Sequence, residues 1–212
     1  MALPKIGAYD LPAAGELPPP RVPWRIEAGR AALLIHDMQN YFVRAFTPGC
    51  SPIAPAVANI RMLRALCDEL GIPVFYSAQP GHQDPRDRGL QRDFWGPGMD
   101  DAEENRGIFP DLAPEAPHLM LTKWRYSAFQ RTNLEPMLRA RGRDQLIVTG
   151  VYAHIGCLLS TAEAFMRDIE PFFVADAVAD FSRGKHDLAV TYAAERCAVV
   201  TTAAALADQL HS

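Results

Sequence analysis

An aspartate, a lysine and a cysteine stand out in this chain for where they fall. Asp37 comes just after the apolar run Ala31-Ala32-Leu33-Leu34-Ile35, and Lys123 follows Leu119-Met120-Leu121-Thr122. Cys157 comes directly after Gly150-Val151-Tyr152-Ala153-His154-Ile155-Gly156, the turn that closes Leu146-Ile147-Val148-Thr149 and opens a helical pattern. Short continuous apolar runs are the signature of strands buried on both faces. In open α/β sheets ligands bind outside the carboxyl ends of such strands, where turn and helix amides can hold an anion. A carboxylate and an ammonium on that edge suit acid–base work, and a thiol there suits nucleophilic catalysis. A helix N-terminus and a nearby ammonium both lower a thiol's pKa, so Cys157 stays open as a nucleophile on chemical grounds alone. Each residue also has a plain structural reading: Asp37 as a turn or helix-cap residue, Lys123 as a solvated strand end. If the third strand continues through Lys123, Arg125 turns to the same side by period two, giving two cations facing one way. Arg86, Arg88 and Arg92 add positive charge from the preceding loop, of which one or two need reach a ligand. Trp95, inside Phe94-Trp95-Gly96-Pro97-Gly98, fits a core anchor and a pocket wall equally well.

Several function classes drop out. His36, His82 and His154 have no H-x-x-x-H spacing and read as core or loop histidines, so neither a metal nor another cofactor is expected. There is no G-x-S-x-G elbow and no glycine-rich phosphate loop. Cys50, Cys67, Cys157 and Cys197 are far apart, which suits a reducing compartment better than a disulfide framework. The formal charge is -4 with no basic run, which gives no support for nucleic-acid binding. No stretch approaches the roughly 18 apolar residues of a membrane helix, and Met1-Ala2-Leu3-Pro4-Lys5 is no secretory signal, so a cytoplasmic protein is expected.

The elements that must position these residues are legible in the same way. With 212 residues, 49% hydrophobic and 22% charged, the chain fits one globular domain over 1–212 with a full core. Residues 1–24 are proline-rich and predict an extended arm; Ile6, Tyr9, Leu11 and Trp24 favour its packing across the domain or a neighbouring subunit. Helical spacing over Pro52 to Leu70 stops at Gly71, and Pro73 to Ala78 is the second strand. From Gln79 to Pro117 the sequence is polar and punctuated; a segment of that length in a compact domain signals a functional lid or binding loop. Leu119 to Thr122, Leu146 to Thr149, Pro171 to Asp176 and Ala198 to Thr201 complete six strands, with helices around Leu134 to Leu138, Cys157 to Met166 and Lys185 to Glu195. Strands alternating with helices predict a three-layer, doubly wound, mostly parallel α/β sheet. Asp37, Lys123 and the Gly150–Gly156 turn then share one carboxyl edge.

Three motifs carry a family resemblance: Leu34-Ile35-His36-Asp37-Met38-Gln39-Asn40-Tyr41-Phe42, Thr122-Lys123-Trp124-Arg125-Tyr126-Ser127-Ala128-Phe129, and Gly150 to Gly156. They resemble the isochorismatase family of cysteine-hydrolase-like proteins, and the likeness runs from Ala2 through Ser182. In the broader family an Asp, a Lys and a Cys form a triad, with the Cys six residues after the glycine that ends the fourth strand. That slot is Gly156 here, and Cys157 lies one residue past it. A one-residue step on a helix turns a side chain by about 100 degrees, enough to aim it away from a pocket. The branch resembling isochorismatases proper also carries glycine at this slot and cleaves a vinyl ether instead of an amide.

The resemblance therefore implies a hydrolase of isochorismate or 2-amino-2-deoxyisochorismate, releasing pyruvate without a covalent intermediate. Asp37 would be the general acid, held protonated by burial, and Lys123 would mainly engage a substrate carboxylate. Gln79, Arg88, Trp95, Tyr126, Tyr152 and Phe42 would line the pocket for this anionic, chorismate-derived substrate. The Val151–Tyr152 peptide matches a place where the family tends to have a cis bond, and Gly156→Cys should crowd the pocket. Family habit implies a dimer or larger assembly. The chain ends at Ser212 without the carrier domain of many siderophore versions, which tilts the expectation toward the amino substrate or a stand-alone isochorismatase. Two other readings stay in play: a Cys157-dependent amidohydrolase, and an idle scaffold module that lost its nucleophile.

Overall fold

The computed structural model describes residues 3–211; Met1 and Ala2, the start of the expected arm, lie outside them, as does Ser212. The elements in order are β1 (Ala31–His36), α1 (Asn40–Val43), α2 (Ile53–Glu69), β2 (Val74–Ala78), α3 (Pro85–Arg88), α4 (Gln91–Trp95), α5 (Glu103–Arg106), β3 (Leu119–Thr122), α6 (Leu134–Arg139), β4 (Gln145–Val151), α7 (Leu158–Phe165), β5 (Glu170–Ala179), α8 (Arg183–Arg196), β6 (Val199–Thr201) and α9 (Ala203–Leu210). The six strands form one sheet in the order β3-β2-β1-β4-β5-β6, every neighbouring pair parallel. The chain winds outward through β2 and β3, returns past β1 to β4, and winds outward again on the other side. The order reverses between β1 and β4, and their carboxyl ends flank the crevice that such a reversal leaves open.

Alternation along β1 explains the layers. Ala31, Leu33 and Ile35 pack with Ile60, Leu63, Leu206 and Leu210 of α2 and α9. Ala32 and Leu34 face the opposite way, into a core with Leu134, Leu138, Leu158 and Ala189 of α6, α7 and α8. Both faces of the strand are therefore dry, which is why it reads as an unbroken apolar run rather than an alternating one.

Four departures from the sequence expectations have physical causes. First, α9 follows what was expected to be the last strand. It is only eight residues long, buries Ala203, Leu206 and Leu210 at helical spacing, and is capped by Thr202, which accepts from the Ala205 amide, while Asp176 takes the Ala203 amide at 2.7 Å. Second, the 79–117 segment holds α3, α4 and α5 plus a 3-10 turn at Pro110–Leu112. These helices are too short for periodicity to register, although Asp84, which accepts from the Arg86 amide, followed by Pro85 is a start signal. Third, β3 stops at Thr122, so period two does not extend to Lys123 and Arg125. The Arg125 guanidinium turns instead to the Asp87 and Trp124 carbonyls, and the expected pair of cations facing one way does not form. Fourth, the N-terminal arm is extended but not free of regular structure. Ile6 bridges in parallel to Phe46 and is buried, and Ala14–Glu16 form a 3-10 turn. The arm lies across its own domain, where the Tyr9 hydroxyl accepts from the Asp180 amide and bonds His186 Nδ1.

No helix among the described residues is long and apolar enough to cross a membrane.

Candidate active site

At the carboxyl edge, β1 delivers Asp37, the segment after β3 delivers Lys123, and the chain beyond β4 makes a π-type turn over Ala153–Cys157 before α7 begins. They border a cavity of about 610 Å³ measured out to its mouth. All nine residues expected at a site line it: Asp37, Lys123, Gly156, Gln79, Arg88, Trp95, Tyr126, Tyr152 and Phe42. Arg86 and Arg92 stay exposed, so of the three loop arginines only Arg88 reaches the cavity.

Asp37 is buried and fully engaged. Its Oδ1 accepts from Ser77 Oγ at 2.7 Å; its Oδ2 accepts from Gln79 Nε2 at 3.0 Å and meets Lys123 Nζ at 2.9 Å. Its backbone takes the left-handed φ of 49°, uncommon for a residue with a side chain and typical of places where the surroundings impose the geometry. Burial pushes the Asp37 carboxyl up, but the Lys123 ammonium, His36 and the Gln79 amide outweigh it and hold it below the ordinary carboxyl value. Burial therefore does not by itself hold Asp37 protonated: the neighbours of the carboxyl favour the carboxylate. Lys123 Nζ also donates to the Arg125 carbonyl at 2.6 Å, so two of the three donors of the ammonium are engaged within the protein.

The cation without a counter-charge is Arg88. It is 5% exposed, its Nε donates to the Gly96 carbonyl at 2.5 Å, and among the described residues it has no carboxylate partner. Gly98 makes room for it: a Cβ there would stand 2.7 Å from Nη1. Burial lowers the proton affinity of the guanidinium, the direction expected of a desolvated and unpaired charge. In the turn, the His154 amide donates to Asp180 Oδ2, and the Ile155 and Cys157 amides donate to the Tyr152 carbonyl.

Aromatic rings make the wall. Tyr152 stacks on Phe181 with centroids 4.2 Å apart, Phe181 stacks on Trp95, and Phe42 meets Tyr152 edge-on. Trp95 Nε1 donates to the Tyr126 hydroxyl at 2.7 Å, so Trp95 is a pocket wall. The Val151–Tyr152 peptide is cis.

Cys157 is fully buried, is absent from the cavity lining, and sits in the helix-side core with its Sγ 3.8 Å from the Thr149 carbonyl. Burial pushes its thiol well above the ordinary value, the reverse of what a nucleophile needs. At position 156 there is no side chain, and the space a Cβ would take is filled by the His36 ring, 2.1 Å away at Cε1.

Sequence reasoning missed His36, Tyr41, Gln91, Met99, Ile155 and Leu3, all of which line the cavity. Leu3 arrives by the path of the arm, which no periodicity announces. Gln39, which no spacing marks out, donates its amide to the Gln79 and Arg106 carbonyls and accepts from the Gln79 amide, which fixes the residue that holds Asp37. Among the described residues no three His, Cys, Asp or Glu side chains gather as a metal site.

The isochorismatase domain model matches residues 31–205. The chain belongs to the isochorismatase family. Across all 212 residues it is 57% identical to the isochorismatase of Bacillus subtilis (strain 168), covering 68% of that protein. Over 200 residues, 94% of this chain and 96% of the relative, it is 50% identical to the phenazine biosynthesis protein PhzD1 of Pseudomonas aeruginosa PAO1. In fold it is similar to a cysteine hydrolase from Pseudomonas syringae pv. phaseolicola 1448A, with a TM-score of 0.82 over 92% of this chain and 98% of the other at 24% identity. The cavity of this isochorismatase-family chain brings together the Asp37 carboxylate and the Lys123 ammonium, with Gly156 beside them and Cys157 outside the lining.

Proposed function

We propose that this protein hydrolyses the enolpyruvyl vinyl ether of an isochorismate-type substrate, isochorismate or its 2-amino-2-deoxy analogue, releasing pyruvate and the dihydro ring product. The observation that carries the reading is the slot at Gly156, closed to a nucleophile, beside a buried and oriented carboxylate at Asp37. A vinyl ether needs no covalent catalyst; it needs one well-placed proton. Asp37 transfers that proton to the methylene carbon, and the resulting oxocarbenium carbon takes water. The proton of the added water returns to Asp37, and the hemiketal collapses to pyruvate and the ring alcohol. Arg88 binds a substrate carboxylate, Gln79 and Lys123 aim Asp37, and Phe42, Trp95, Tyr126 and Tyr152 hold the ring and the enolpyruvyl group against an apolar wall.

The Lys123 ammonium favours the Asp37 carboxylate, so protonation of the acid is tied to the arrival of the substrate's own charge. Lys123 and Arg88 together outnumber Asp37 in the free cavity; a dianionic ligand reverses the local balance and raises the affinity of Asp37 for a proton. Binding and protonation of the acid are then one coupled event. Offering isochorismate and the 2-amino analogue in parallel and measuring pyruvate tests the reading, and no release from either would overturn it.

A further inference from the structure

His36, the residue before Asp37, does more than fill the core. It ends β1, is 1% exposed, and shares a sheet face with Ala32 and Leu34, toward Ala153 and Cys157. Its ring lies between two pocket walls, Nδ1 2.9 Å from the Val151 carbonyl and Nε2 3.2 Å from the Tyr126 carbonyl. Those carbonyls belong to the turn that carries Tyr152 and to the loop that carries Tyr126, so one imidazole spans both.

A Cβ at position 156 would stand 2.1 Å from His36 Cε1, 2.7 Å from Nε2 and 2.9 Å from Nδ1. Non-bonded atoms do not approach so closely, and the ring is no flexible tip that swings aside, because both nitrogens face fixed carbonyls. Nor can the strand end retreat. His36 pairs with Gly150, where a Cβ would already be 2.1 Å from the His36 carbonyl oxygen.

We propose that His36 and Gly156 are a matched pair. His36 is a positioning residue: its imidazole takes the volume of a side chain at 156, donates to one of the two carbonyls, and sets the spacing between the Tyr126 loop and the Val151–Tyr152 turn. Absence of a thiol from this cavity is then set by two positions, not one. A side chain at 156 fits only when the residue at 36 is small, and a small residue at 36 unties the two walls that shape the acid-type pocket. The kinetic half of this inference rests on the proposed reaction; the steric half rests on packing alone.

The test uses the intact chain and five variants: Gly156→Ala, Gly156→Cys, His36→Ala, His36→Asn and the double His36→Ala/Gly156→Cys. Each is followed by thermal unfolding, by counting thiols that react with a small alkylating reagent in the folded state, and by pyruvate-release kinetics. Gly156→Ala and Gly156→Cys should each lower Tm by about 5 °C or more, as overpacking a fixed site does. The double variant should retain a Tm well above the sum of the two single losses, a non-additivity expected of residues in contact. It should also show one more reactive thiol than the parent chain. His36→Ala should lower kcat by about tenfold or more through misplaced walls, and His36→Asn, which keeps a planar side chain with an N–H donor, should recover most of that loss. A histidine that only fills space would leave the kcat of folded His36→Ala unchanged, which would overturn the positioning role. Additive losses of Tm in the double variant, or a Gly156→Cys chain that folds at the parent Tm with a reactive new thiol, would overturn the pairing. If His36→Ala does not fold, His36→Asn combined with Gly156→Ala carries the same coupling measurement. Absence of pyruvate release by the parent chain would sink the proposed reaction while the Tm and thiol results still decide the pairing.

Discussion

Replacing Arg88 by methionine should move stability and activity apart. The guanidinium is 5% exposed, has one hydrogen bond to a carbonyl, and lacks a carboxylate partner among the described residues, so folding desolvates a charge with little return. The effective penalty for such an ion is several kcal/mol, whereas losing the bond to the Gly96 carbonyl costs about 1 kcal/mol. Methionine fills a similar unbranched volume without the charge. The unliganded variant should therefore be as stable as the parent or more so, with Tm between unchanged and about 5 °C higher at roughly 2–4 °C per kcal/mol for a chain of this size. Substrate binding should suffer in the opposite sense. Removing one partner of a buried charge pair costs about 2–5 kcal/mol, which at a factor of ten per 1.4 kcal/mol is roughly 30- to 4,000-fold in kcat/KM. Most of the loss should appear in KM, because a carboxylate remote from the reacting carbon is bound alike in ground and transition states. Calorimetric unfolding and a coupled pyruvate assay read the two effects separately. A variant that loses stability and activity together, or one whose KM is unchanged, would refute the reasoning, because Arg88 would then be a structural residue.

Asp37→Asn should lower kcat by about 10²- to 10⁴-fold in the pyruvate assay, the usual worth of a positioned acid. It should also change the pH dependence of stability. The native Asp37 carboxyl is held below its ordinary value of 3.8, so its contribution to stability is present above that pH and lost as pH falls through the lower native value. The variant, which strands the Lys123 ammonium, should be less stable than the parent by about 3–5 kcal/mol near neutrality, and the gap should narrow below pH 4. Titrating a non-hydrolysable dianionic substrate analogue near pH 8 in buffers of different ionisation enthalpy should show uptake of about one proton by the parent chain and none by Asp37→Asn. Cys157→Ala should keep kcat/KM within about twofold of the parent and lose roughly 1 kcal/mol of stability for the buried sulfur, which thermal scans would show.

Much of the site was readable because the fold class places it. Apolar runs at Ala31 to Ile35 and Leu146 to Thr149 signal buried parallel strands, and residues just after such strands must meet at one edge, whatever their partners. The wall residues Phe42, Trp95, Tyr126 and Tyr152 came from motif resemblance, since nothing in their own spacing announces an aromatic stack. The short helices of 79–117 escaped because each spans about one turn, too little for a period to emerge. Arg125 departs from the expected pair of cations for a local reason: β3 ends at Thr122, the Lys123 amide makes the last bond to the Ala78 carbonyl, and alternation means nothing beyond it.

By itself, the sequence determined which residue types stand at the carboxyl edge, because that follows from strand patterning; that the nucleophile slot holds glycine follows from the family resemblance, counted from Gly150. Only the tertiary structure decided what those residues do to one another. The Asp37 carboxyl is biased toward its charged form by Lys123, His36 and Gln79, Arg88 has no carboxylate partner among the described residues, and a Cβ at Gly156 would meet the ring of a histidine 120 residues away in the chain. Charge balance and excluded volume depend on distances across the fold, and those distances are set by packing that no local pattern encodes.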